Sequence, residues 1–386
     1  MTSDAVLTLN CGSSSIKFAL FERGGGRLLR GRIENLGSEP HLQAWNADGA
    51  LLVEEKCKAG THESFFRQIL SLADDNLEGR HLAAVGHRVV HGGDEFTAPR
   101  LLTEPVRKAL KKLDELAPLH QPHNLAAIDA VSRVRPGLPQ IACFDTAFHQ
   151  TMSATARRFG LPLILERSGL RRYGFHGLSY EFIAGRLREL APEVASGRVL
   201  VAHLGSGASM CAMHNGRSVD TSMGFSPLDG LVMGTRCGAL DPGVLLYLLR
   251  QGLHASTLEN MLYCQAGLLG VSGISADMRV LLASKSVEAS DAVDLFVFRA
   301  AREAAALISS MGGLDGIVFT AGIGENSPEI RQRIGERLAW LGLSLEPAAN
   351  RENRTEIQAP ASRVRAWVLP TDEELVIARH TFSLAG

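Results

Sequence analysis

Residues 198–222 read RVLVAHLGSGASMCAMHNGRSVDTS. A strand-like run ends at His203, a turn built on Gly205-Ser206-Gly207 follows, and a second run reaches His214. Asn215-Gly216 then signals a tight hairpin into a third strand. The chain begins the same way. LTLNCGSSSIKF, residues 7–18, holds a strand, a Gly/Ser turn and the start of SIKFALFE; Gly24-Gly25-Gly26 then turns into RLLRGRIE. Asn10 and His203 each stand two residues before the first turn glycine, so the chain carries an internal repeat on the scale of a domain. Turns rich in serine hydroxyls and backbone N–H groups are built to hold phosphate oxygens.

After each opening the pattern changes to alternating helices and strands. In the first half, 63–73 and 104–116 read as helices, and LAAVGHRVVH and PQIACF as strands. In the second half, 178–190, 242–250 and 291–311 read as helices, and GIVFT and VRAWVLP as strands. A βββαβαβα order occurring twice predicts two similar α/β domains facing each other across a cleft. The boundaries fall at 1–148 and 149–374, with a C-terminal helix, 375–386, packing back on the first domain. A third glycine stretch, FTAGIGENSPEI, reads as a phosphate-approaching loop that enters a helix near Ser327. A dinucleotide fingerprint competes here, with Glu346 as its ribose acid, but Ser327 occupies the third glycine position. The Walker pattern is absent.

Composition narrows the class. The 386 residues are 45% hydrophobic and 21% charged, as in a globular protein of two domains. A formal net charge of -1 argues against a nucleic-acid binder that relies on a basic face. The six cysteines form no C-x-x-C pair and most sit among apolar residues, which predicts reduced thiols and a cytoplasmic protein. Residues 1–10 lack a basic signal-peptide region, and the most apolar helix, 291–311, is broken by Arg299, Arg302 and Glu303, so no membrane span is expected. His120-x-x-His123 has helical metal spacing but no completing ligands, so no zinc site is expected.

Nine motifs occur in order: NCGSSSIKF, GHRVVHGG, APLHQPHN, FDTAFHQTM, RRYGFHGLS, HLGSGAS, DTSMGFSPLDGLVMGTRCGALDPG, TAGIGENS and PTDEEL. Together, from about Leu7 to His380, they resemble the acetate/propionate kinase family, of the actin-like and sugar-kinase-like ATPase superfamily with ribonuclease H-like domains. The resemblance implies reversible phosphoryl transfer between ATP and acetate, giving acetyl phosphate and ADP. It also implies Mg²⁺ (or Mn²⁺) and a homodimer formed through the C-terminal domain. A propionate or butyrate kinase is the alternative within the class; a non-kinase actin-like ATPase, which would not need two arginines and a histidine around an acceptor, is the alternative outside it.

By the same resemblance, Arg88 and Arg236 clamp the acetate carboxyl and the phosphoryl group, His176 donates to transition-state phosphoryl oxygens, and Asp145 positions metal and acyl substrate. His120 and His203 would line the same cleft. Val90, Leu119, Phe175 and Pro227 bound the acyl methyl. Lys17, His203, Leu204, Gly205, Ser206, Gly207, Asp277, Met278, Arg279, Gly322, Ile323, Gly324, Glu325 and Asn326 contact nucleotide. Asn10 and Glu373 hold magnesium. Residue chemistry agrees where it speaks. Phosphoryl transfer needs charge neutralisation, and guanidinium binds carboxylate and phosphate bidentately. Asp145 follows the apolar strand IACF, at the strand end where α/β ligands collect, although an N-cap would look the same. Thr371-Asp372-Glu373-Glu374 matches a capping box with Thr371 as N-cap and Glu374 at N3. Val90, two residues after Arg88 in a strand, would share its face. Ser206, Cys237 and Ala239 depart from the residues frequent in the family. His87, His149 and His214 are read as core or surface histidines.

Overall fold

Among the described residues, thirteen strands form two sheets. The first contains β1 (Asp4–Cys11), β2 (Ser15–Glu22), β3 (Arg27–Glu34), β4 (His41–Asn46), β5 (Leu51–Lys56), β6 (His81–Val89), β7 (Arg100–Leu101) and β8 (Gln140–Phe144), in the order β5-β4-β3-β2-β1-β6-β8-β7. The second contains β9 (Arg198–Leu204), β10 (Ala208–His214), β11 (Arg217–Thr221), β12 (Gly316–Thr320) and β13 (Arg365–Val368), in the order β11-β10-β9-β12-β13. The computed structural model describes residues 4–12, 14–57, 60, 62–117 and 120–385. Met1–Phe148 with Asp372–Gly386 make one compact unit, and His149–Thr371 the other.

The repeat seen in the sequence is a repeat of sheet order. β3-β2-β1-β6-β8 and β11-β10-β9-β12-β13 match strand for strand, three antiparallel and then two parallel to the first. The hairpin β10–β11 has its two turn residues at positive φ, 51° for Asn215 and 68° for Gly216, as an Asn-Gly turn of this type requires. β1, β8 and β12 are apolar and buried on both faces because helices cover both sides of the parallel strands. In the second unit the helix Val287–Met311 buries Ala289, Val293, Phe296, Ala300, Ala304 and Leu307, one apolar stripe laid against β10. In the first unit the C-terminal helix Glu373–Ala385 lies on β1, β6 and β8, and Gly86 makes room for it: a Cβ there would meet Thr381 Oγ1 at 2.1 Å.

Three local expectations are corrected, and one helix is added to them. The helix expected over 104–116 ends at Lys111 and continues as a tight turn, Asp114–Leu116. A helix at Gln121–Val134, with Pro122 in its first turn, occupies part of the APLHQPHN motif and beyond. FTAGIGENSPEI is not a loop: the chain turns at Ala321 (φ 65°) and enters a short helix, Ala321–Asn326, followed by Pro328–Arg337. Its ends explain it. Glu325 Oε1 accepts from the Ala321 N–H at 2.8 Å, and the buried Arg331 guanidinium donates to the carbonyls of Gly324 (2.8 Å) and Glu325 (2.9 Å). Finally, the C-terminal helix is capped by Asp372, whose Oδ1 accepts from the Leu375 N–H at 3.0 Å. Thr371 instead accepts a hydrogen bond from Ser179 at 2.9 Å, so the Thr371–Glu374 capping box does not form.

Candidate active site

In the first unit, four distant segments deliver Asn10, Arg88, Asp145 and Glu373 to one place. Arg88 lies near the end of β6, and Asp145 immediately follows β8, its parallel neighbour. The guanidinium grips Asp145 side-on, Nε to Oδ1 at 3.0 Å and Nη2 to Oδ2 at 2.5 Å, and Nη1 donates to Asn10 Oδ1 at 3.1 Å. Glu373, in the first turn of the C-terminal helix, reaches Asn10 Nδ2 at 3.4 Å and Arg88 Nε at 4.0 Å. Burial disfavours the charge on Arg88, but Asp145 and Glu373 outweigh it and hold the guanidinium above its ordinary value. Burial raises Glu373 to about 7; Arg88 opposes the rise, and the Asp145 and Glu374 carboxylates add to it. Arg88, already gripped by Asp145, neutralises this carboxyl only in part. Asn10 and Glu373 offer oxygen alone, the donor set of a hard ion such as Mg²⁺, which takes few protein ligands and completes its shell with water and phosphate.

Other expected residues of this unit are distributed around that cluster. Lys17 is exposed on β2, paired in register with Asn10. Val90 is buried, but β6 ends at Val89, so strand alternation does not set its direction; its N–H donates to Asn124 Oδ1 at 3.0 Å. His120 stands at the N-cap of the helix Gln121–Val134. Leu119 lies outside the described residues. Cys11 is buried, which pushes its thiol up to about 12 and keeps it protonated.

In the second unit the Gly205-Ser206-Gly207 turn is the centre. On one side it lines a cavity of about 700 Å³ together with Asp277, Met278, Arg279, Gly322, Ile323 and Asn326. At Gly207 it faces His176 and Arg236: a Cβ placed there would lie 3.5 Å from His176 Nε2 and 3.8 Å from Arg236 Nη1. The irregular segment carrying Arg236 is tied to the turn by Gly234 N–H to Ser206 O, 3.0 Å, and Arg236 Nη1 donates to the Pro227 carbonyl at 3.1 Å. His176 occupies a left-handed conformation (φ 59°) ahead of the helix Gly177–Leu190 and stacks on His203 with centroids 4.3 Å apart. Phe175 is buried, and its carbonyl meets His149 Nε2 at 2.9 Å. Leu204 is buried at the end of β9. Asp277 caps the helix Met278–Ala283, and the Arg279 guanidinium and backbone N–H hold its carboxyl below the usual range.

Two expected nucleotide contacts have other work. Glu325 takes the N–H groups of Ala321 and Thr371 (2.8 and 3.2 Å), which closes the short helix onto the segment after β13. Gly324 is buried inside that helix, while Gly322 has open space where a side chain would be. The sequence reading missed Ser209, Tyr180 and Ser179, which hold the two histidines, and Arg331. Polar residues at i+3 and i+4 from His176, and at strand positions opposite His203, were the available signal.

With this geometry in place, comparison is decisive. The model of the acetokinase family matches residues 5–379. This chain belongs to the acetokinase family. Among its relatives, an acetate kinase of Rhodopseudomonas palustris is 52% identical over 393 residues, covering 99% of both chains, and one of Rhizobium meliloti is 49% identical over 387 residues, covering 99% of this chain and 98% of that one. Among solved structures, a propionate kinase from Francisella tularensis superposes with a TM-score of 0.92 at 36% identity over 100% of both chains. An acetate kinase from Porphyromonas gingivalis gives 0.89 at 36% identity, over 99% of this chain and 100% of that one. The fold it shares with these acetate and propionate kinases is the duplicated α/β class expected from the sequence.

Proposed function

We propose that this chain catalyses direct, in-line and reversible phosphoryl transfer between ATP and acetate, yielding acetyl phosphate and ADP, with magnesium as cofactor. One observation carries the reading. A single glycine turn lines the cavity through Gly205 and Ser206 and, at Gly207, faces an imidazole and a guanidinium. Phosphoryl transfer asks for that combination: backbone N–H groups for nucleotide phosphates and fixed donors for the oxygens of the group in flight. The adenine and ribose side belongs to Asp277, Met278, Arg279 and the helix Ala321–Asn326, and His176 and Arg236 stabilise the transferring phosphoryl. In the other unit, Arg88, fixed by Asp145, is the carboxyl-binding group, and Val90 is a wall of the acyl site.

Asn10 and Glu373 would hold the magnesium. When bound, the ion supplies charge neutralisation for phosphate oxygens, and Glu373 is the carboxyl whose environment asks for a cation. Acetate is favoured over propionate because the relatives at 47–52% identity are acetate kinases, while the propionate kinase stands at 36%.

The protein works as a cytoplasmic homodimer in this reading. The helix Pro242–Arg250 buries none of its residues in its own unit and exposes Leu246 and Tyr247 beside Leu240, Val244 and Leu249, an apolar face suited to a second copy. No helix among the described residues is long and apolar enough to cross a membrane. The test of the function is ³¹P NMR of purified protein with ATP, acetate and Mg²⁺. Growth of an acetyl phosphate resonance matched to ADP, abolished by chelation, supports the reading; ATP hydrolysis to free phosphate alone refutes it.

A further inference from the structure

We infer that the buried side chain of Asn124 is a positioning residue for the acyl acceptor: its amide ties Val90 to the end of β1 and so fixes the wall of the acyl site. The ladder between β1 and β6 ends at Leu9 opposite His87, one residue before Asn10 and Arg88. Beyond it, the helix Gln121–Val134 supplies the link. Asn124 Oδ1 accepts from the Val90 N–H at 3.0 Å, and Asn124 Nδ2 donates to the Cys11 carbonyl at 2.7 Å. Asn124 is only 2% exposed, so water does not compete for these bonds.

The backbone fixes the direction of both bonds. A peptide N–H only donates and a peptide carbonyl only accepts, so the amide oxygen faces Val90 and the amide nitrogen faces Cys11. The side chain thus bridges the two segments as a peptide unit would in a continued ladder. Its two ends are not equally free. Cys11 is paired with Ile16 of β2, and Asn10 with Lys17, so β1 is the anchored end. Val90 lies past the end of β6 at Val89, so Asn124 passes the rigidity of β1 on to Val90. Gln121, one turn earlier on the same helix, holds the next residue in the same way: Oε1 accepts from the His91 N–H at 3.3 Å, and Nε2 donates to the His91 carbonyl at 3.2 Å. Arg88 does not depend on this link, because β6 pairs with β8 at its position (Arg88 with Cys143) and Asp145 grips its guanidinium. Loss of the Asn124 amide releases the acyl wall and leaves the carboxyl-binding arginine in place. Acyl selectivity is what this side chain governs.

This rests on the reading of Val90 as a wall of the acyl site, but its first test needs no turnover. NMR of ¹⁵N-valine-labelled enzyme reads the hydrogen-exchange rate of the Val90 amide, assigned by its loss in Val90→Ala. The wild type should protect it. Asn124→Ala should speed its exchange about tenfold, the worth of one hydrogen bond, relative to the Val85 amide, which is bonded to the Pro139 carbonyl. A wild-type Val90 amide that exchanges like an exposed one overturns the proposal even if the variant fails to fold, and so does a relative rate unchanged in Asn124→Ala. In an ATP-dependent hydroxamate assay with both acids, Asn124→Ala should raise the propionate-to-acetate ratio of kcat/KM about tenfold, with KM for ATP unchanged. In a Val90→Ala background it should add nothing further, because both changes act on one wall. Additive effects in the double variant, or an unchanged ratio in Asn124→Ala where Val90→Ala alone shifts it, also overturn the proposal. If Val90→Ala alone leaves the ratio unchanged while exchange behaves as stated, the fault lies with the acyl reading and not with the link.

Discussion

Gly207→Ala separates folding from catalysis at the turn on which the reading depends. Gly207 does not use a left-handed backbone, so alanine meets no strain there. Its methyl would sit 3.5 Å from His176 Nε2 and 3.8 Å from Arg236 Nη1, ordinary contact distances that displace nothing. Stability should therefore stay within about 0.5 kcal/mol of wild type. The methyl nevertheless occupies the space on which both donors converge, where a phosphoryl oxygen must lie. Displacing the reacting group by about 1 Å costs on the order of 10²-fold in rate. The expected outcome is a normal melting curve with kcat for acetyl phosphate formation down about 10²-fold. Gly267→Ala provides the contrast: its φ is +63° and a Cβ would meet the Met233 carbonyl at 2.2 Å, so that variant should lose thermal stability first. A folded Gly207→Ala enzyme turning over at the wild-type rate would refute the placement of the phosphoryl group.

Arg88→Lys should fare little better than Arg88→Ala, each losing about 10²–10³-fold in kcat, because an ammonium cannot hold both Asp145 oxygens and Asn10 at once; steady-state kinetics with Lys restoring turnover would contradict this. Glu373→Gln should raise the magnesium concentration needed for half-maximal activity, whereas Asp372→Ala should lower stability by about 1 kcal/mol through loss of the cap and leave the magnesium requirement alone. Magnesium titrations and thermal melts of both variants check this division. Burial lowers His87 and His149 from 6.5 to about 4, so the native state keeps them neutral while the unfolded chain takes up protons. Stability should be complete above about pH 6.5 and fall as pH drops toward 4, by up to roughly 3 kcal/mol per histidine. Melting temperatures from pH 7 to 5, with a shallower slope in His149→Gln, would show it.

The fold was legible where backbone chemistry leaves a mark. Asn215-Gly216 announced its hairpin, and the spacing of Asn10 and His203 from their turns announced the duplication. The outermost pair β4–β5 was not legible, since the edge strand β5 is largely exposed and has no apolar alternation. The helix Ala321–Asn326 was hidden by two glycines that argue against a helix; side chains from outside it, Arg331 above all, supply what its own residues lack. The Thr371–Glu374 pattern matched a capping box that tertiary contacts overrode, since Ser179 claims the Thr371 hydroxyl.

The site divides in the same way. Asp145 could be placed at a strand end from apolar run length alone. That Asn10, Arg88, Asp145 and Glu373 would gather, across separations of up to 363 residues, was legible only through resemblance. Of the hydroxyls behind His176, Ser179 and Tyr180 left only the weak mark of their i+3 and i+4 spacing, and Ser209 looks like an ordinary core position of a strand.

The most direct measurement is the ratio of kcat/KM for acetate and propionate in an ATP-dependent hydroxamate assay of the purified enzyme. One methylene in a small acyl pocket is worth about 10–200-fold, so acetate should be preferred by at least about tenfold. A preference for propionate would overturn the assignment of acceptor, and an absence of hydroxamate from either acid, with ATP and magnesium present, would contradict the phosphotransferase account itself.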